Sequence, residues 1–538
     1  MIDRRRLIQA GLYGLGAWSL PGMADIFMRR GYTHGVASGE PSARSVLLWT
    51  RYVGSSDVKL RAEVAEDALF QRLVAGGEVE AQVERDHTAR ITVSGLNPDR
   101  WYYYRFVTPD GTQSPIGRTR TLPIGAVSKF GIGLFSCSNL PFGWFNAYAH
   151  ACERNDLDLM VHVGDYLYEY AVGTYPSVTD ALPGRVIQPN HEMVTLADYR
   201  LRYASYRLDP DLQRIHQTYP MILQWDDHEL TNDAWTGGAE NHQPATEGDW
   251  EVRKAVAERV YREWMPVSDE PYKSYQIGDL ATLFKLETRI TGRSAPPNLE
   301  AAIKDKPDLA AALLEFRDRV LRDPSRTLLG ATQERWLEQS LRDSVAAGTR
   351  WQVIAQQVVM GEIVAPQRVG EWLPEDAPEF LKRRITAGLA AARLGLPFNF
   401  DSWGGFPAAR SRLLEAAVAA NANPIVLSGD SHNAWAQNLS VGKERAGVEF
   451  ATHSVSSPGF ESYLRRGAPA EVAAALRATN PGLAYSETSH RGYTSLILGR
   501  NEASGHFHFL KGIRERSTEL DSTTTLRVRH GERVLETS

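Results

Sequence analysis

Four short apolar runs that each stop on a side chain able to hold a cation set the tightest limit on how this chain can fold. They are "KFGIGLFSC", ending at Cys137, "LDLMVHVGD", ending at Asp165, "PMILQWDD", ending at Asp226 and Asp227, and "NPIVLSGD", ending at Asp430. A fifth run, "RWQVIAQQVV", carries Gln357 near its end. All five read as strands. Amphipathic stretches such as "LADYRLRYASYRL" and "GATQERWLEQSLRDS" fall between several of them, and strands alternating with helices make a layered α/β domain. In open α/β sheets, ligands bind in the crevice beyond the carboxyl ends of the strands. That rule gathers Cys137, Asp165, Asp226, Asp227 and Asp430 around one crevice, with His228 and His432 just beyond two of the strand ends.

The residue types point to a metal. Hard cations favour carboxylate oxygens, and a phenolate or thiolate adds an anionic donor suited to a trivalent or borderline ion. Asp165 has two oxygens and can bridge two ions, while Tyr168 follows it by three residues in "GDYLYEY". Adjacent carboxylates at Asp226 and Asp227 repel at the end of a buried strand unless a cation joins them. Gly164 and Gly429 let the backbone come close to such a cluster. Tyr166 and Tyr170 read as packing residues, and His191, His216, His453 and His490 as structural ones. Rival chemistries account for less. The chain has no G-x-S-x-G elbow, P-loop or Rossmann glycine fingerprint after a strand. A Cys137 nucleophile paired with His432 would leave Asp165, Tyr168, Asp226 and Asp227 unexplained.

Composition adds boundaries. A net charge of −5 with no long basic run gives no sign of a nucleic-acid surface. The two cysteines, Cys137 and Cys152, fall at a strand's carboxyl end and down the returning helix, which argues against a bridge. The N-terminus, "MIDRRRLIQAGLYGLGAWSL", pairs arginines ahead of a weakly apolar segment, as twin-arginine export signals do. The bland alternative is a frayed basic end, and no clean A-x-A cleavage site follows. We expect residues 1–29 to be this signal, read by the twin-arginine export machinery. The product would be periplasmic or secreted, with no transmembrane anchor after processing. Residues 30–123 look all-β, with "SVLLWTRYV", "VKLRAEVAE", "ARITVSGL" and "WYYYRFVTP" as strands of a fibronectin-like sandwich. Residues 124–538 form the expected catalytic domain.

At these residues the chain resembles the PhoD-type alkaline phosphatases, within the metallophosphoesterases related to purple acid phosphatases. The motifs that carry the likeness are "LWTR", "FSCS", "DLMVHVGDYLYEY", "WDDHE", "LGATQERWLEQSL", "DSWGGFPAAR" and "LSGDSHNAW". The resemblance implies a four-layer α/β sandwich of two mixed sheets flanked by helices, and a cluster of one ferric and two calcium ions. Carried over, Cys137, Asp165, Tyr168 and His432 serve the iron. Asp165, Asp227 and Asp430 serve calcium, with Asp226 and Asn232 as further candidates. His228 becomes the phosphate contact or proton donor, and Gln357 a substrate-side residue. The chain departs from its relatives at Asn232-Asp233, where they carry Asn-Asn, at "ETRITGR", and at "DSWGGFP", which lacks a carboxylate at Gly404 and a hydroxyl at Phe406.

The function expected is hydrolysis of a phosphate-ester substrate by metal-activated hydroxide. A phosphodiesterase or phospholipase-D-like hydrolase is the alternative among enzymes. A non-catalytic exported binding protein, working through the β-sandwich, is the alternative from another class.

Overall fold

The computed structural model describes residues 29–537, so the expected export signal lies outside the described residues except for its last position. The five runs form strands Lys129–Phe135, Leu159–His162, Pro220–Leu223, Trp351–Ala355 and Pro424–Ser428. The first three lie side by side and parallel in a ten-stranded sheet. The other two are parallel neighbours in a seven-stranded sheet. Antiparallel strands from the carboxy-terminal part extend both sheets, which makes each of them mixed.

Alternation along each strand builds the layers, because successive side chains point to opposite faces. Leu134, Val161 and Ile222 from one sheet meet Val353 and Leu427 from the other in a dry core between the sheets. Their neighbours Met160 and Met221 face outward onto Tyr199, Leu212 and Trp264. On the far side, Ile354 and Val426 face Leu337, Leu341 and Leu413 of the outer helices. Strands covered on both faces read as continuous apolar runs, which explains their sequences. The result is the expected four-layer α/β sandwich. Local signals set the helices between the strands. Helix Leu196–Tyr206 starts on a Thr195–Asp198 capping box, and helix Pro210–Thr218 starts on Asp209 with proline at its first position.

The amino-terminal region adds a second, smaller core of Val46, Leu48, Leu60, Val64, Tyr102 and Tyr104. A four-stranded sheet ordered Leu73–Ala81, Val58–Ala65, Trp101–Val107, Gly117–Arg120 covers one side of it. Strands Gly31–Gly39, Ser45–Val53 and Thr88–Ser94 cover the other and continue the ten-stranded sheet. Ser38 pairs in parallel with Pro220, and Gly39 with Met221, on the strand that leads to Asp226 and Asp227. Both cysteines are free thiols, as their expected places in strand and helix require. No helix of the described residues is long and apolar enough to cross a membrane.

Candidate metal centre

All four ligand-bearing strand ends open into one crevice, and the backbone there is bent to do it. Cys137 (φ 60°), Asp165 (φ 55°), Asp430 (φ 62°) and His432 (φ 62°) all adopt the left-handed conformation. Non-glycine residues held in that region cost about 1–3 kcal/mol each and cluster at functional sites. Hydrogen bonds knit the turns together: Cys137 N–H donates to the Gly164 carbonyl at 3.2 Å, and Gly429 N–H to the Gln357 carbonyl at 2.8 Å. A Cβ on Gly164 would lie 2.3 Å from that of Asp226, and one on Gly429 would lie 2.1 Å from Ser136 Oγ. Only glycine lets the strand ends approach this closely.

Three ligand groups result. Cys137, Asp165 and His432 offer one set of donor atoms, Asp165, Asp227 and His228 a second, and Asp226, Asp227 and Asp430 a third, each within 4.8 Å of one another. Asp165 and Asp227 are shared, so the groups form a chain across the crevice. The Tyr168 hydroxyl joins the first group, 3.0 Å from Asp165 Oδ2 and 3.1 Å from His432 Nε2. His432 Nδ1–H donates to the Pro458 carbonyl at 2.8 Å, which fixes the tautomer and leaves the Nε2 lone pair facing Asp165 and Tyr168. Asp165 Oδ1 and Asp226 Oδ2 are buried without a hydrogen-bond partner among the described residues. Buried carboxylate oxygens are normally satisfied, so these two mark where cations fit.

The electrostatics agree. Burial, then the Asp165 carboxylate, push the Cys137 thiol and the Tyr168 phenol well above their usual ranges. Burial also raises Asp430 to about 8, with Asp227, Asp401 and Asp165 adding to it against the Arg289 guanidinium. Burial and the Asp227, Asp165 and Asp430 charges raise Asp226 well above the carboxylate range, again against Arg289. Such mutual repulsion in a dry crevice is what a bound cation relieves.

A family model described as "PhoD-like phosphatase" matches residues 130–507, and one described as "PhoD-like phosphatase, N-terminal domain" matches residues 19–123. The chain belongs to the PhoD-like phosphatase family. It is 34% identical over 496 residues to alkaline phosphatase D of Bacillus subtilis (strain 168), covering 85% of this chain and 76% of that protein. A solved structure titled "Structure of PhoD" superposes with a TM-score of 0.77 at 28% identity, covering 94% of this chain and 92% of that one. As a member of this family the chain is an enzyme, a hydrolase of phosphoric esters.

Two further residues taken from sequence make contacts with neighbouring side chains and backbone. The Asn232 side-chain amide donates to Glu240 Oε2 at 2.9 Å, while its backbone N–H donates to Glu169. The Gln357 amide accepts from Thr288 Oγ1 at 2.6 Å and donates to the Trp225 carbonyl at 2.9 Å, bracing the strand end that precedes Asp226.

Three residues important to the geometry escaped the sequence reading. Glu169 Oε2 accepts from His228 Nδ1–H at 2.7 Å. Burial works against a charged His228, but Glu169 and Asp227 hold its imidazolium well above the usual value. Glu229 accepts from the backbone N–H groups of Asp165 (3.2 Å), Tyr166 (2.6 Å) and Asp226 (2.8 Å), tying two strand ends together. Arg289 is fully buried among Asp226, Asp227, Asp401 and Asp430. The glutamates stood in plain view inside "GDYLYEY" and "WDDHE", three residues on from a ligand candidate or directly beside one. Arg289 lay in "ETRITGR", where it keeps the arginine of the family pattern while its neighbours depart from it.

Proposed function

We propose that this chain is an exported phosphoesterase whose hydrolytic chemistry depends on a metal cluster at the mouth of the two sheets. Cys137, Asp165, Tyr168 and His432 would hold a ferric ion, because thiolate, phenolate, carboxylate and imidazole together suit a trivalent centre. Asp165, Asp227 and Asp430, with Asp226 beside them, would hold calcium through oxygen alone. The observation that carries the reading is the chain of ligand groups joined through Asp165 and Asp227, with buried oxygens left unpartnered. Ions bound there would polarise the phosphoryl oxygens and lower the pKa of bound water toward neutrality.

The chain's own residues do the rest. Glu169 orients His228 through Nδ1, which leaves Nε2 as the nitrogen free to meet a phosphoryl oxygen or pass a proton to the leaving alkoxide. The Tyr170 ring lies 5.4 Å and the Tyr168 ring 4.3 Å from the His228 ring, and these aromatic neighbours restrict its rotation. The paired arginines at Arg4 and Arg5 support export by the twin-arginine route.

The test is release of p-nitrophenol from its phosphate monoester and from the corresponding diester, before and after removal of metal by a chelator. Turnover should vanish with chelation and return with calcium, and the ratio of the two substrates assigns monoesterase or diesterase. Full turnover in protein shown by elemental analysis to be free of metal would sink the reading.

A further inference from the structure

His228 is the group that meets the leaving alkoxide in the reading above, so whatever flanks it toward solvent lies against the leaving group. A row of aromatic rings occupies that side. The Tyr170 ring lies 5.4 Å from the His228 ring, and the Tyr175 ring lies 5.7 Å from that of Tyr170 at an interplanar angle of 70°. Tyr175 in turn hydrogen-bonds Tyr463, which closes the short turn Phe460–Ser462. The row thus runs from a buried imidazole to a ring that is 37% exposed, with Tyr170 and Tyr175 half-buried between them. Its anchors are fixed. The wholly buried Arg202 donates through Nη2 to the carbonyls of Tyr170 (3.1 Å), Pro189 (3.0 Å) and His191 (3.2 Å), so the loop that carries Tyr175 leaves and returns at one guanidinium. Inside that loop, the Tyr175 ring packs edge-on against Phe142 at 5.0 Å, and its hydroxyl lies 3.5 Å from His432 Nδ1. His432 Nδ1–H already serves the Pro458 carbonyl at 2.8 Å, so the ligand does not need Tyr175. Rigid rings held at the mouth of a site offer a flat apolar group stacking and edge contacts at little cost in side-chain entropy.

We propose that Tyr175, with Tyr170 and Tyr463 beside it, forms a wall for the leaving group, and that this wall selects phosphate esters of flat, apolar, ring-bearing alcohols over those of small alcohols. The inference rests on the reading that His228 faces the leaving group. It makes Tyr175 a specificity-determining residue, contributed by a surface loop and not by a strand end.

The experiment measures kcat/KM for benzyl phosphate and methyl phosphate with the metal-loaded full chain, as wild type, Tyr175→Ala and Tyr175→Phe. The two parent alcohols have nearly equal acidity, so the ratio reports contacts with the leaving group and not its departure. Wild type should favour the benzyl ester by roughly 10-fold or more, the order expected from burying an aromatic ring. Tyr175→Ala should cut that ratio about 5-fold or more, while Tyr175→Phe keeps the ring and should hold it near wild type. The ratio does not depend on the fraction of protein that is folded, so a weakened fold cannot imitate the result. Titration calorimetry with benzylphosphonate and methylphosphonate, neither of which is hydrolysed, reads the same preference without turnover. An unchanged ratio in Tyr175→Ala, or equal affinity of wild type for the two phosphonates, overturns the inference. Turnover that survives metal removal with the ratio intact would sink the metal reading and leave the wall standing.

Discussion

Asp165 works through both of its oxygens: Oδ2 accepts from Tyr168, while Oδ1 is buried with no hydrogen-bond partner among the described residues. Replacing it by asparagine keeps the shape, removes the charge shared by two ligand groups and puts an amide where one oxygen was. We expect Asp165→Asn to lower phosphomonoester hydrolysis by roughly 100-fold or more, since metal-assisted stabilisation supplies several kcal/mol. Circular dichroism should show the fold intact, and activity near wild type in that folded protein would refute the role. Glu169 acts one step removed, through His228. Glu169→Gln keeps an oxygen for the imidazole N–H but not the charge, and should lower kcat about 10–100-fold, the usual cost of losing an orienting partner behind a site. Steady-state kinetics decide it. A rise in KM with kcat unchanged would make Glu169 a substrate-binding residue instead. Both glutamates were present in motifs already singled out, yet their roles depend on which way a side chain turns after the strand ends, and no spacing states that.

Among the elements, buried histidines on and beside the strands make an acid-sensitive set. His508, on strand Glu502–Leu510, is held between Ser495 Oγ at 2.9 Å and Thr523 Oγ1 at 3.2 Å, beside the Arg154 guanidinium. Burial, then Arg154, lower it to about 2, and burial lowers His453 to about 4 and His162 to about 3. These groups stay neutral in the folded protein and take up protons on unfolding, so stability falls as pH drops below the ordinary histidine value of 6.5. Each should cost about 1.4 kcal/mol per pH unit between that value and its own folded one. Denaturant midpoints measured at pH 7 and pH 5.5 should therefore separate clearly, and His508→Gln should shrink the gap. Coincident midpoints would show that these histidines do not govern acid stability. The strands themselves were legible, because burial on both faces leaves a continuous apolar run and the turn residues mark its ends. The joining of Gly31–Gly39 to Pro220–Leu223 was not, because parallel pairing between segments so distant in sequence leaves no local pattern.

For the whole molecule, that same pairing links the amino-terminal region to the chemistry. The strand Pro220–Leu223 has Leu159–His162 on one side and Gly31–Gly39 on the other. Without residues 30–123 it would become an open edge next to Asp226 and Asp227, and unpaired edges invite aggregation. The large domain expressed alone, as residues 124–538, should give far less soluble and active protein than the full chain expressed in parallel. A soluble, fully active truncation would show instead that the sandwich is an independent appendage.

From sequence alone came the alternation of strands and helices, the four polar strand ends and the family pattern, because burial and turn chemistry are written residue by residue. Tertiary structure alone decided that Arg289 stands among three ligand carboxylates, that Glu229 ties two strand ends, and that the amino-terminal sheet runs on into the catalytic one. The reason is physical: ion pairs and hydrogen bonds between distant segments exist only once packing has brought those segments together, and a linear pattern records the packing surfaces but not their partners.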